Sequence, residues 1–286
     1  MSIDEQSRVL TKYLYYMNNK PFFSIITVCF NSATTIERTI KSILNQNFSD
    51  YEYIIVDGGS SDATIDIIKE YEPLFQGRLK WKSESDKGIY DAMNKGILRS
   101  EGTIIGIVNS DDWLEADTLQ TVWEENRYCE HSNRTIIAGE ILFHYSSGST
   151  QLYPTSPRIY ESKSRNFEMG LNHPATFVPR FVYDTIGLFD VNFKLKADAD
   201  FILRCYENRV PVHFIPKVLS NMSDGGASNN RSKKELTDTV LKYKKHIKSK
   251  PLYYIYCIKS YVNWYVKGLV PMCFVRYYRN VHNRKK

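Results

Sequence analysis

A chain of 286 residues, 42% hydrophobic and 24% charged, can bury a full core, and its composition is that of a soluble globular protein with one large domain or one domain plus an appendage. No run reaches the ~18 continuous apolar residues of a membrane-spanning helix. The polar first twenty residues lack the apolar centre of a secretory signal, so a cytoplasmic location is expected.

The net charge of +6 is unevenly spread. Residues 231–286 carry 15 basic and 2 acidic side chains, or +13, which leaves −7 on the rest. An acidic body with a basic, aromatic tail suggests chemistry in the body and an anionic partner for the tail. The five cysteines (Cys29, Cys129, Cys205, Cys257, Cys273) are odd in number and scattered. That pattern argues against a zinc site or a disulfide framework and for buried, inert thiols.

Residues 22–30 (FFSIITVCF) form a nearly continuous apolar run rich in β-branched residues, as a strand buried on both faces requires. Ser32 or Thr34 is then placed to cap a helix whose Ile36, Ile40, Ile43 and Leu44 share one stripe. Residues 51–56 (YEYIIV) read as a second strand, ended by Asp57-Gly58-Gly59. Asp62 reads as the cap of a second helix carrying Ile65, Ile68 and Tyr71. A short strand at 79–82 follows, then a helix over 87–98 with Tyr90, Met93 and Ile97 on one face. Residues 103–108 (TIIGIV) make a fourth strand, running directly into Asn109-Ser110-Asp111-Asp112.

Strand and helix thus alternate four times, which predicts an open, largely parallel α/β sheet. Ligands of such sheets lie beyond the carboxyl ends of the strands, where Asp57 and Asp111-Asp112 fall. Farther on, residues 135–145 read as a strand. Residues 146–172, polar with two prolines and no period, read as a mobile loop on the substrate side. A helix over 197–208 and a strand over 210–215 complete the pattern.

Two adjacent carboxylates at a strand end repel unless a positive charge sits between them. Asp111 and Asp112 therefore read either as a divalent-cation site on phosphate oxygens or as a solvated turn before a helix starting near Glu115. Asp57 is either an acceptor for a nucleoside or a turn former, with the following glycines allowing close backbone approach. Asp86-Lys87-Gly88 offers a carboxylate for a nucleoside and an ammonium for a pyrophosphate, or else a solvated turn. Asp198 and Asp200 stand two apart at the mouth of a helix and so diverge; one can face a cleft while the other pairs with Arg204. His173 is a lone histidine on a strand-like segment, more often structural than catalytic.

Seven segments, in order, resemble family-2 glycosyltransferases with the GT-A fold. They are SIITVCFN (24–31), VDGGSSDAT (56–64), SDKGIYDAMNKGI (85–97), EGTIIGIVNSDDW (101–113), HPATFV (173–178), GLFD (187–190) and KADADFILR (196–204). The resemblance covers roughly 190 residues and is nearest in flavour to bacterial enzymes of O-antigen, capsule or colanic-acid assembly. It implies a GT-A fold, a mixed and mostly parallel sheet flanked by helices. It also implies an inverting, metal-dependent transfer from a nucleotide-diphosphate sugar, most often a UDP-sugar, in surface polysaccharide biosynthesis.

On that resemblance Thr27 lines the nucleotide pocket, and Asp57 and Asp86 grip the nucleoside with Lys87 near the diphosphate. Asp111 holds the ribose or sugar and shares the metal site with Asp112, the Mn2+ or Mg2+ ligand. Asp198 is the general base, and His173 and Asp200 lie on the acceptor side or in support. The family often has Glu-Asp where this chain has Ala197-Asp198, and Ser110-Asp111-Asp112 replaces Asp-x-Asp.

The implied acceptor is a lipid-linked saccharide of the undecaprenyl-diphosphate type. The sequence divides into an extension (1–20), a catalytic domain (21–230) and a basic, aromatic, helical C-terminal region (231–286). In that last region residues 251–279 combine tyrosines, Trp264 and aliphatics with Lys259, Lys267, Arg276 and Arg279. Its apolar runs are short, which suits lying in the headgroup region of the inner membrane face. The lysines of 242–250 add about 1 kcal/mol each near anionic lipid. Packing on the body or in a homodimer is the other reading of this tail.

A non-enzymatic sugar-nucleotide or polyanion-binding protein is the competing class, although acidic strand ends disfavour nucleic acid. No G-x-G-x-x-G follows the first strand, which removes support for a dinucleotide enzyme. Asn31-Ser32-Ala33 is not the triphosphate loop of a nucleotidyltransferase.

Overall fold

The computed structural model describes residues 20–224 and 233–269, with side chains through 265. The chain opens with β1 (Phe23–Cys29), α1 (Ile36–Leu44), β2 (Tyr51–Asp57), α2 (Thr64–Tyr71), β3 (Leu79–Ser83), α3 (Ile89–Arg99) and β4 (Ile104–Ile107). β2 and β4 flank β1, and β3 lies outside β2, all parallel. Every residue of β1, β2 and β4 is buried, because helices cover both faces of the sheet. α1 and α2 press Ile36, Ile40, Ile43 and Ile68 onto one face, and α3 presses Tyr90, Met93 and Ile97 onto the other. Each such isoleucine contributes roughly 1.5–3 kcal/mol. The parallel arrangement brings the C-terminal ends of β1–β4 to one edge, and the loops after them share that edge.

The sheet continues through β5 (Trp113–Leu114), α4 (Thr118–Arg127), β6 (Ile136–His144), β7 (Thr150–Tyr153), α5 (Pro157–Arg165), β8 (Thr176–Pro179), α6 (Arg180–Ile186), α7 (Ala197–Glu207) and β9 (Val212–Ser223). Strand order is β3-β2-β1-β4-β8-β6-β9-β5, with β7 on β6. β8 runs antiparallel to β4 and β6, β9 parallel to β6, and β5 antiparallel to β9. This mixed α/β sheet is the GT-A arrangement expected, parallel through β1–β4 and mixed beyond.

Several local expectations are corrected. Residues 146–172 are not an irregular loop. β7 pairs antiparallel with β6, and Gly148 at φ 83° makes the turn between them. Ser156 then accepts a hydrogen bond from the Ile159 amide, with Pro157 starting α5. Neither piece has a strong apolar period, since α5 buries only Tyr160 and Ser164.

The helix caps also differ. Thr35 stands at the start of α1 and Ala63 at the start of α2, neither with a side-chain cap bond. Ser32 uses its carbonyl, which accepts from the amides of Thr35 and Ile36. Asp62 accepts from the Thr64 amide and hydroxyl and from the Ala33 amide, tying two loops together. β9 is twice the expected length because its second half pairs with both β6 and β5. Cys29 and Cys205 are buried as expected, whereas Cys129 and Cys257 are half-buried; all four are free thiols.

Two further helices, α8 (Lys233–His246) and α9 (Lys250–Leu269), end the described chain. α8 is fastened to the body: the Asp238 carboxylate accepts from the amides of Lys194 and Leu195 at 2.8 and 2.6 Å. α9 packs on α8 through Tyr243 and Ser260, whose hydroxyls lie 3.1 Å apart. Its Tyr256 ring sits edge-on to Phe167. The outward face of α9 exposes Tyr254, Ile255, Ile258, Tyr261, Val262 and Tyr265. Among the described residues no helix is long and apolar enough to cross a membrane. Arg276, Arg279, Cys273, the Lys267 side chain and residues 1–19 lie outside what is described.

Candidate active site

The loops after β1 and β2 are laced together. The Asn31 amide donates to Ser60 Oγ at 2.7 Å, and the Ser61 amide donates to Asn31 Oδ1 at 2.9 Å. Asn31 adopts φ 49°, a conformation asparagine tolerates. Asp57 lies beneath them, fully buried. Its carboxylate accepts from the amides of Gly59 and Ser60 and from the hydroxyls of Ser60 and Ser83. Burial raises its pKa, but these bonds outweigh burial and hold it below the ordinary carboxylate range. Asp57 thus shapes the loop, and its acceptor capacity is directed inward.

Thr27 is likewise inside the sheet, accepting from the Tyr53 hydroxyl at 3.0 Å, so it does not line an open pocket. Thr27 thus lies within the packed layers of β1, whereas Asp57 closes β2 at the strand-end edge with its carboxylate taken up by the loop that follows it. Asp86 is better presented. It is half-buried, accepts from the Gly88 amide at 2.7 Å, and faces Gly58 so closely that a Cβ there would sit 2.6 Å from Asp86 Oδ2. Lys87 is exposed beside it. Phe30, 61% exposed at the end of β1, offers an apolar face at the same edge.

After β4 the chain turns at Asn109-Ser110-Asp111-Asp112. Asp111 is half-buried, and Asp112 is only 1% exposed beneath it, with Asn109 Nδ2 donating to Asp112 Oδ2 at 3.2 Å. Burial, and for Asp112 also the charge of Asp111, push both pKa values up. Arg38 bridges the turn, donating to the Asp111 carbonyl at 2.8 Å and stacking 3.6 Å over the Trp113 ring. Asn109 Oδ1 is buried with no hydrogen-bond partner among the described residues.

Two carboxyls short of positive charge and an orphaned amide oxygen suit a hard cation. Among the described residues no three His, Cys, Asp or Glu side chains gather to enclose one. That set still fits ions of the Mg2+ type, which take one or two carboxylates and complete their shell from water and phosphate.

Asp198 stands at the first turn of α7. Its Oδ1 accepts from the Tyr90 hydroxyl at 3.1 Å and from the Ala199 amide at 2.8 Å. Oδ2 has no hydrogen-bond partner among the described residues. His173 begins a 3-10 turn (His173–Ala175) instead of a strand, because Pro174 follows it. Its ring packs edge-on to Phe189, and burial lowers its pKa against the pull of Asp198.

Asp200 faces the opposite way, as residues two apart on a helix must. It is fully buried and meets Arg204 Nε at 2.9 Å, His246 Nε2 at 3.0 Å, and Lys245 Nζ, which straddles both oxygens. Burial raises its pKa, yet His246, Lys245 and Arg204 bring it down to about 2. Asp200 therefore locks α8 onto α7.

Asp86 faces Gly58 at the strand-end edge beside the loop that buries Asp57, Asp111 and Asp112 follow β4 at that edge, and Asp198 is tied to α3 through Tyr90, with Asp200 turned toward α8. Tyr90 and Arg38 were not singled out from sequence for the site. Their signal was faint: Tyr90 read only as an apolar helix position, and Arg38 follows a helix start with no motif of its own.

Comparison with known proteins fits this geometry. Residues 24–184 match the family described as Glycosyl transferase family 2. The chain is 33% identical over 218 residues to a PGL/p-HBAD biosynthesis glycosyltransferase of Mycobacterium bovis, covering 75% of this chain and 82% of that protein. It is 35% identical over 159 residues to the putative glycosyltransferase EpsH of Bacillus subtilis, covering 51% of this chain and 45% of that one.

Among solved structures, S. aureus TarS 1-349 in complex with UDP-GlcNAc aligns with a TM-score of 0.62 at 18% identity, over 80% of this chain and 67% of that one. Of a longer TarS chain, this protein spans 40%. The mannosyltransferase PcManGT from Pyrobaculum calidifontis, in complex with GDP-Man and Mn2+, aligns at 0.59 and 14% identity over 88% of this chain and 76% of that one. At such identities the structures show a shared fold. With a family match over more than half its length and a relative one-third identical, this chain belongs to glycosyl transferase family 2.

Proposed function

We propose that this protein transfers a sugar, with inversion, from a UDP-sugar to a hydroxyl of a lipid-linked saccharide at the inner face of the cell membrane. The carrying observation is two carboxyl sites with capacity to spare: Asp111-Asp112 after β4, where burial and mutual repulsion raise the pKa of Asp112, and Asp198, whose Oδ2 has no hydrogen-bond partner among the described residues. The complexes of similar proteins with UDP-GlcNAc and with GDP-Man and Mn2+ support a nucleotide-sugar donor.

Asp86 and Lys87 lie at the nucleotide end, with Phe30 offering a stacking face. Asp111, the more open of the pair, and Asp112 beneath it would hold Mn2+ or Mg2+. A cation held there would supply positive charge for a departing diphosphate. Arg38 keeps the turn in place through the Asp111 carbonyl.

Asp198 takes the proton of the acceptor hydroxyl on Oδ2, while Tyr90 and the Ala199 amide fix Oδ1. Attack from the face opposite the leaving group inverts the anomeric centre in one displacement. His173, whose pKa burial lowers against the charge of Asp198, packs on Phe189 in a supporting role. The apolar stripe of α9, flanked by Lys248, Lys250 and Lys259, suits an anionic lipid surface. A homodimer through the same stripe is the competing outcome.

The test is a panel of nucleotide sugars scored for sugar release with Mn2+ or EDTA, with and without membrane extract. Metal-dependent turnover of one UDP-sugar, stimulated by extract, is the expected result. Absence of turnover with every donor would remove the enzymatic reading.

A further inference from the structure

Between the start of α7, the segment 166–168 and the paired helices α8 and α9 lies a half-open cavity of about 270 Å³. Three amines line it, from Lys196, Lys242 and Lys259, against two carboxylates, Glu168 and Glu235. Lys196 is 3.5 Å from Glu235. Lys242 is different. It is 4% exposed, yet it makes no hydrogen bond or ion pair with another described residue, its ammonium lying 5.5 Å from the Tyr243 ring centre.

The Lys242 side chain is almost wholly withdrawn from bulk water and its ammonium opens only on the cavity, so a counter-charge seated there is favoured. Burial and the nearby Lys196 lower the pKa of Lys242 to about 8, opposed by Glu168, Asp198 and Asp200. Lys196, two residues before Asp198 in the chain, is part of the lining, which puts the cavity near the start of the helix that carries the candidate base. Tyr256 and Trp264 add aromatic wall from α9, the helix whose other face is the exposed apolar stripe.

We infer that this cavity seats a phosphate or diphosphate group of the acceptor next to the reacting saccharide, with Lys242 as its buried counter-charge. The inference rests on the glycosyl-transfer reading above and gives that acceptor a chemical class. Clustered ammonium groups match a multiply charged phosphate better than a single carboxylate. The same chemistry is presented by the headgroup of an anionic phospholipid, the second source the experiment must separate.

The experiment is calorimetric titration of inorganic phosphate into the full-length protein, with UDP and Mg2+ saturating the donor side. Lys242→Met is expected to weaken phosphate binding at least tenfold and to leave UDP affinity within twofold. Lys259→Ala, at the exposed lip, is expected to weaken phosphate binding by a smaller factor. Lys242→Met removes a buried charge and keeps the volume, so it should fold with an unchanged or higher Tm. Should it not fold, Lys242→Gln carries the same comparison.

Equal phosphate affinity in the wild type and the folded Lys242 variant overturns the inference. Failure of UDP to bind either protein overturns the donor reading instead, and the phosphate comparison, repeated without UDP, still decides this one. Sedimentation with phosphatidylglycerol vesicles separates the sources. Unchanged vesicle binding by Lys242→Met assigns the phosphate to the acceptor, and a tenfold loss assigns it to the lipid headgroup.

Discussion

Tyr90 and Asp198, 108 residues apart in sequence, meet at 3.1 Å, the phenol donating to the carboxylate. The contact joins α3, which follows the Asp86-Lys87 loop, to α7, which carries the candidate base. Replacing the base should separate chemistry from binding. Asp198→Asn is expected to lower turnover by on the order of 10²–10⁴ with UDP affinity nearly unchanged in calorimetry. Tyr90→Phe should lower kcat by about tenfold, with a stability loss of about 1 kcal/mol. A folded Asp198→Asn enzyme with full turnover, beside an inactive Asp200→Asn one, would exchange the roles assigned to these two aspartates.

The pair at the end of β4 predicts metal-linked nucleotide binding. Because burial and mutual repulsion raise the pKa of Asp112, a divalent cation should bind UDP and protein together. UDP affinity is expected to fall strongly on adding EDTA, and to become metal-independent in Asp111→Ala and in Asp112→Ala. Identical UDP affinity with and without metal in the wild type counts against the site.

Asp200 makes a prediction about acid stability. Its folded pKa is about 2 against an ordinary 3.8, so the unfolded chain takes up the proton first as pH falls. The stabilisation is therefore complete above the ordinary value and is lost as pH falls toward about 2. Asp200→Asn should cost roughly 3–5 kcal/mol near neutral pH, because it leaves Arg204 without its buried counter-charge, whereas Lys245 keeps Asp190 at 3.0 Å. Thermal melts of the variant should also change less than those of the wild type between about pH 4 and pH 2.

The stripe on α9 is tested by charge reversal on its open face. Ile258→Glu, at a position 64% exposed, should leave the fold intact and abolish most sedimentation with anionic vesicles. High salt should release part of the wild-type protein, since peripheral binding combines charge with burial. If vesicles are ignored and light scattering instead shows a dimer that Ile258→Glu dissociates, the stripe is an interface between two copies.

The sequence by itself determined the alternating strands and helices of β1–β4, the seven ordered motifs, and the edge at which Asp86, Asp111 and Asp112 stand. Those features are local: a buried parallel strand needs a continuous apolar run, and the residue after it emerges at the ligand edge wherever the rest of the chain goes. The divergence of Asp198 and Asp200 was legible for the same reason, since helix geometry alone separates positions two apart.

Only the tertiary structure decided what each side chain meets. Asp57 and Thr27 turned inward because Ser60, Ser83 and Tyr53 reach them from other strands and loops. Residues 146–172 became β7 and α5 because β6 offered an edge and Ser156 a cap. Arg204, four residues on, was a legible partner of Asp200, but its other partners Lys245 and His246, and the ammonium of Lys242, come from α8, more than forty residues beyond the start of α7, where no local pattern points back to them. Burial and charge pairing are properties of what surrounds a residue in space, and a linear sequence holds that surrounding only once the sheet has brought its distant pieces together.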